Sequence, residues 1–271
     1  MTGRRRRSQA STPSRRRALA LGVLIALLAA LAGAPTALAG KPTGEYAPFT
    51  HCPLGTPGLT WCVVITASSG ELKLGSATAT IKNTITLQGG LIVSGGEETF
   101  VEATEGATLS KTPEEVGGGF EGFPLTETLE LVGSVALSEA KLAAGEGTAL
   151  KLPVKAHLKN VFVGESCFIG SAAKPIALNL TTGATSPPPP NKPIKGSPGS
   201  KETKEGGNLI VYKGDSLLDN AFSVPAAEGC GSLVTPILNS KFSLPSAAGR
   251  NTAIMDGNAE FANPKAVEES E

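Results

Sequence analysis

Beyond residue 60 the chain is built from short runs in which apolar and polar residues alternate. Thr60–Thr66 is β-branched and aromatic, Glu71–Leu74 alternates, Ala77–Ile81 continues, and Thr84–Leu87 alternates again before Gly89-Gly90 turns the chain into Leu91–Val93. The same pattern returns in Leu129–Val132, Val135–Leu137, Leu150–Leu158, Ile176–Leu180, Asn208–Tyr212 and Ala221–Val224. Successive side chains of a strand point to opposite faces, so a period of two marks a strand with one buried face. Runs of this kind, broken by Gly, Asn or Ser, predict an all-β fold: an antiparallel β-sandwich or barrel-like domain with long Gly/Pro-rich loops. Pro153 predicts an edge or a bulge in its strand, because proline donates no ladder hydrogen bond. Asp256-Gly257-Asn258 predicts a hairpin turn between Ala253–Met255 and Ala259–Phe261. Glu139–Ala144, ended by Gly145, is the helix candidate, and Ser232–Leu244 reads as a buried apolar segment interrupted by Pro236.

The interruptions set the domain plan. Residues 94–124 are acidic and glycine-rich and read as an exposed loop or flexible hairpin. Ser186–Ser200 holds Pro187–Pro190 and Pro193, which suit neither a helix interior nor a central strand, so 184–206 is expected to be an exposed loop. Such a run is either a linker or an excursion from one domain, depending on how the flanking cysteines pair. Residues 1–39 read as a secretion signal peptide: Arg4–Arg7 and Arg15–Arg17, the apolar run Ala18–Ala34, then Ala37-Leu38-Ala39 with cleavage near Ala39. General secretion and the twin-arginine route both fit. A single β-rich domain is expected over 41–264, followed by an acidic tail at 265–271. Lys41 stands where a lipoprotein would have Cys, and the C-terminal segment Val267–Glu271 has no apolar stretch, so no anchor is expected.

Charge narrows the partners. The first 39 residues hold seven of the 24 basic residues and none of the 24 acidic ones, so the rest carries a net charge of −7. The basic patch that nucleic-acid binding needs is missing. Aromatics make up 4% of the chain, too few for a stacking platform, and Trp61 and Phe162 are expected to fill the core. An exported chain meets an oxidising compartment, where Cys52, Cys62, Cys167 and Cys230 are expected as disulfides. Cys52 and Cys62 bracket a turn-rich loop that suits a local bridge, which leaves Cys167 for Cys230. Loop entropy gives roughly 3 kcal/mol for the short loop and roughly 4 for the long one. No two cysteines lie two to four apart and neither His is near a pair, so no metal site is expected.

Candidate chemistry is sparse. Gly214-Asp215-Ser216-Leu217 spells the signature of a lipase and esterase family, but His51 and His157 both lie upstream and no run of helices follows. A serine without a base is a weak nucleophile, so the expected role is a turn with Gly214 and Asp215 at its corner. Gly117–Gly122 fits the dinucleotide spacing, but Phe123-Pro124 stands where a helix should start, so no cofactor is expected. Asp215, Asp219 and Asp256 are too scattered for a calcium loop. A pair of Glu at glycosidase separation remains open among 21 glutamates. Asn179-Leu180-Thr181 is a glycosylation sequon, and Pro187–Pro190 offers a polyproline ligand or a stiff loop.

Several segments from Cys167 onward carry a resemblance: Cys167–Ser171, Leu178–Gly183, Pro187–Ile194, Leu218–Asn220 and Leu244–Ala253. They are similar to segments of a group of uncharacterised secreted actinobacterial proteins, over a little under half of the exported part. The resemblance implies a bacterial, exported origin and no activity. The expectation is therefore a secreted or cell-envelope-associated β-rich protein in a non-catalytic structural or binding role. Its partner would be an envelope component, another exported protein or a host surface, with no membrane span. A secreted hydrolase, carboxylate-based or esterase-like, and a carrier with an apolar cavity are the alternatives.

Overall fold

The computed structural model describes residues 40–271 as a continuous chain. The leader and cleavage site read at 1–39 lie outside the described residues. In chain order the strands are β1 (Trp61–Leu74), β2 (Ala77–Thr80), β3 (Ile85–Ser94), β4 (Glu97–Glu102), β5 (Pro113–Phe120), β6 (Phe123–Leu131), β7 (Ala136–Leu137), β8 (Leu150–Lys159), β9 (Phe168–Ile169), β10 (Ile176–Leu180), β11 (Ser200–Lys204), β12 (Leu209–Asp219), β13 (Ala227–Glu228) and β14 (Thr252–Ala262). Among the described residues there are three short α-helices: α1 (Glu139–Ala144) and α2 (Val234–Lys241) between strands, and α3 (Pro264–Glu269) after β14.

The ladders are antiparallel and return on themselves. β12, β14, β1, β2, β5, β6 and β8 are successive neighbours, and β10 pairs with the far edge of β8. Thr181, just past β10, then exchanges two backbone hydrogen bonds of 2.9 Å with Leu218 of β12. The protein is thus all-β and barrel-like. β1 serves two neighbours on one edge: residues 61–67 pair with β3 and residues 71–74 with β2. β8 likewise divides one edge between β10 and β9.

Alternation decides what lies inside. Val63 and Ile65 of β1, Leu125 and Leu129 of β6, Val154, Ala156 and Leu158 of β8, and Phe261 of β14 join one buried cluster. Cys167 and Cys230 are bonded and lie in that cluster, so the segments on either side of the proline excursion share an interior. Residues Lys41–Glu271 form one compact unit. The second bridge, Cys52–Cys62, belongs to a smaller cluster on the outer face, where Phe49, Val64, Val211 and Val267 meet.

Two of the ring's joints are thin, and each is completed by a buried carboxylate. β2 and β5 meet at a single register pair, Ala79 with Val116. Beyond it the Glu114 carboxylate accepts the backbone N–H groups of Lys82 at 3.1 Å and Asn83 at 2.8 Å. At the β10–β12 joint the Asp219 carboxylate accepts the N–H of Asn179 at 2.7 Å and of Ala221 at 2.8 Å. A third carboxylate, Glu98 of β4, accepts the N–H of Glu139 in the first turn of α1 at 2.9 Å. Backbone donors that lack a strand partner must find another acceptor when buried, and a carboxylate is a strong one.

Several sequence expectations are corrected. Of the two readings of residues 94–124 the exposed loop is wrong and the hairpin is nearer: β4 pairs with β3 from Ser94↔Glu97 to Gly89↔Glu102, and β5 pairs with β6. The polar composition there reflects a half-exposed outer strand rather than absent structure. Gly89-Gly90 lies inside β3 and does not turn the chain. Within 184–206, β11 adds to the edge of β12, and Ala184 bridges Lys195. The acidic tail expected at 265–271 is mostly α3, capped by the Asn263 side chain and pinned by the fully buried Val267. Pro153 lies in an inner strand. Its missing N–H falls at the gap between β6, which ends opposite Val154, and β7, which begins opposite Lys151. Pro236 does not break the 232–244 segment, because it sits in the first turn of α2, where helix N–H groups lack partners anyway. Phe162 is 48% exposed, edge-on to Phe123 at 5.1 Å, whereas Trp61 packs against the core.

Asp256-Gly257-Asn258 is the largest revision. It forms no turn; β14 runs straight through it between β1 and β12. Both neighbours bulge here, between Ala67 and Ser69 and between Lys213 and Asp215. A Cβ on Gly257 would stand 1.7 Å from the Thr66 carbonyl oxygen, so glycine serves close backbone approach.

Candidate functional site

The esterase-like tetrapeptide lies at this double bulge. Gly214, at φ +69°, is the extra residue of β12 and replaces the expected turn. The bulge resets the alternation, so Asp215 joins Leu217 among the buried residues while Ser216 stays partly exposed. Ser216 Oγ donates to Asp256 Oδ1 across the strands at 2.5 Å, and its backbone exchanges two bonds with Ser197. The histidines are engaged elsewhere. His51 faces Glu105 at 3.6 Å. His157 contacts Glu130 at 3.3 Å, meets the Glu165 carbonyl at 2.9 Å and stacks on Phe168. The tetrapeptide therefore holds strands together here. Asp215 is 2% exposed and its Oδ1 has no hydrogen-bond partner. Burial pushes its carboxyl up to about 7, against its own backbone N–H, and Asp256 adds to the rise.

The structure also brings one glutamate pair together. Glu114 and Glu127 are cross-strand neighbours on β5 and β6, and both are 4% exposed. They border a space of about 10 Å³ lined by Leu72, Ile81, Leu129 and Met255, on the order of one water. Burial, then the Glu114 charge, pushes Glu127 up to about 8. The perturbed carboxyl resembles a tuned general acid, but the space beside it admits neither a sugar nor an apolar ligand of useful size. Gly117–Gly119 lies within β5, which ends at Phe120 and leads through Glu121-Gly122 into β6, a strand-to-strand turn with no helix to face a phosphate.

Tyr212 points into the interior, where its hydroxyl is hydrogen-bonded to the Glu139 carboxylate. Burial and that bond raise the phenol. Lys201 reaches the same carboxylate at 3.6 Å, so this network ties β11 and β12 to α1.

The built surface lies elsewhere, where the proline excursion meets the body. A groove of about 500 Å³ is walled by the β1–β2 turn (Gly75, Ser76), the excursion (Pro190, Asn191) and the chain after α2 (Pro245, Ala247). Its support is Asn251, which is fully buried. Asn251 Oδ1 accepts the Gly75 N–H at 2.8 Å, and its Nδ2 donates to the carbonyls of Phe222 and Ala247 at 2.9 and 3.0 Å. Asn191 Nδ2 donates to the carbonyls of Asn220 and Asn251 at 2.9 Å. Asn220 Nδ2 donates to the Lys192 carbonyl at 2.8 Å, while its Oδ1 is buried without a partner. Asn251 is satisfied at both its oxygen and its nitrogen, and a buried side chain bonded in that way fixes the backbone around it. Three of the segments that carry the resemblance, Pro187–Ile194, Leu218–Asn220 and Leu244–Ala253, thus converge on one network. The sequence showed the segments but not their meeting, since 60 residues separate Asn191 from Asn251. Compared with models of known protein families, with curated proteins and with solved structures, the chain matches none.

Proposed function

We propose that this is an exported, non-catalytic binding protein of the bacterial cell envelope whose ligand surface is the groove between Pro190 and Pro245. The observation that carries this reading is the asparagine network. It holds three distant segments around an open groove. The groups with chemical potential support the same reading, because Glu114 and Asp219 accept backbone N–H groups and Ser216 bonds to Asp256. Two disulfides suit an oxidising compartment, and no helix among the described residues is long and apolar enough to cross a membrane. The test is co-sedimentation of the purified protein with native envelope fragments. The wild type should be retained and Ala247→Trp, which fills the groove from an exposed position, should stay in solution. Both proteins remaining in solution, or ester turnover abolished by Ser216→Ala, overturns the reading.

A further inference from the structure

We infer that the groove binds an oxyanion, a phosphate or carboxylate borne on a flexible polymer, through Lys73 on one wall and Arg250 on the other. The inference rests on the binding role of the groove proposed above and names its ligand chemistry.

Beyond residue 39 the chain carries a net charge of −7, so its overall field repels anions. Any anion site must be local. Arg250 is the single arginine beyond residue 17. It lines the groove together with Lys73, and neither enters an ion pair among the described residues. Lys82, Lys155, Lys201, Lys204 and Lys265 each have a carboxylate within 4.0 Å.

Arg250 directly precedes Asn251, whose backbone is fixed by the hydrogen bonds described above, so the guanidinium starts from a rigid base. Lys73 is the β1 partner of Thr252, one residue beyond Asn251. Lys73 therefore rises from β1 and Arg250 from the bend just before β14, the strand that pairs with it, beside one cavity. A guanidinium presents a planar fork of donors that matches two oxygens of a phosphate or carboxylate, and an ammonium adds a point charge. The other lining groups are Gly75, Asn191, prolines, serines and Ala247, with no aromatic ring for sugar or base stacking. About 500 Å³ of open groove exceeds what one inorganic ion fills, which favours a segment of an anionic chain.

The test uses the full exported chain, isotope-labelled, titrated at low salt with sodium tripolyphosphate, with oligogalacturonate and with inorganic phosphate. Saturable shifts of the Ser76, Ala247 and Arg250 amides are expected with at least one of the two oligomers, and the stronger one names the oxyanion. Inorganic phosphate should bind at least tenfold more weakly. Lys73→Gln and Arg250→Gln should each weaken binding at least fivefold. Each should also lower the slope of log affinity against log salt by about one. Arg250→Lys should recover only part of the loss. Unchanged melting temperatures will separate these effects from misfolding, since neither side chain makes a hydrogen bond within the described chain. Absence of saturable shifts with both oligomers, shifts confined to another face, inorganic phosphate binding as tightly as the oligomers, or a Lys73→Gln/Arg250→Gln double variant that binds like wild type overturns the inference. Retention on envelope fragments without oligomer binding removes the oxyanion chemistry alone. Oligomer binding without retention removes the envelope role alone.

Discussion

Glu127→Gln should make the protein more resistant to rising pH. Glu127 occupies the interior row of β6 between Leu125 and Leu129, a position alternation reserves for apolar residues. Burial first, and the Glu114 carboxylate second, raise its pKa from 4.5 to about 8. The folded state therefore holds a proton that the unfolded chain releases above pH 4.5. The contribution to stability is fully present below pH 4.5 and is lost as pH climbs toward 8. At 1.36 kcal/mol per unit, the loss between pH 4.5 and 7 is on the order of 3 kcal/mol, a large part of a typical domain's stability. Asp215, raised to about 7, acts in the same direction and is unchanged in the variant. Glutamine has nearly the shape of the neutral acid and does not titrate. Urea unfolding of both proteins at pH 4.5, 6, 7 and 8 reads the difference. The variant should gain about 3 kcal/mol relative to wild type between pH 4.5 and 7. Parallel pH profiles would refute the argument that this carboxyl is buried in neutral form.

Removing the long bridge with Cys167→Ala/Cys230→Ala should lower the free energy of unfolding by about 4 kcal/mol, read from the urea midpoint without reductant, while dithiothreitol should bring wild type to the same midpoint or below. Gly257→Ala should cost more than about 3 kcal/mol or prevent folding, because the Thr66 carbonyl occupies the place of the new methyl, whereas Gly95→Ala, at a position with open space around it, should cost about 1. Ser216→Ala should cost about 1 kcal/mol through the lost bond to Asp256, and neither it nor wild type should hydrolyse a panel of short esters.

Alternation in the sequence was enough to read the strands that line the interior, including β1, β8, β10 and the first half of β12, because each keeps one apolar row. It was not enough for β4 and β11, whose faces are both partly polar; an outer strand needs no apolar row, and Glu97–Glu102 looks like a loop by composition. The Asp-Gly pair misled for a physical reason. Glycine suits a tight turn and also a strand whose neighbour's backbone comes close, and only the facing Thr66 carbonyl distinguishes the two. The cysteine pairing was accessible from loop chemistry, and the sulfurs are bonded as that argument gives. The carboxylates that complete the thin joints were not accessible. Nothing local marks Glu114 or Asp219 among the other acids, because their partners are the backbone N–H groups of Asn83 and Asn179, far away in sequence. The groove was hidden for the same reason, since its walls come from three separate segments.

The central claim is that one closed interior spans the chain and that buried carboxylates complete its two thin joints. Native-state hydrogen exchange on residues 40–271 tests it most directly. The amides of Asn83, Asn179, Thr181 and Leu218 should be protected to within about tenfold of Val63 and Phe261, exchanging only when the whole sheet opens. Exchange of those four amides at nearly the free-peptide rate, while Val63 and Phe261 remain protected, would mean an open sheet and contradict the account.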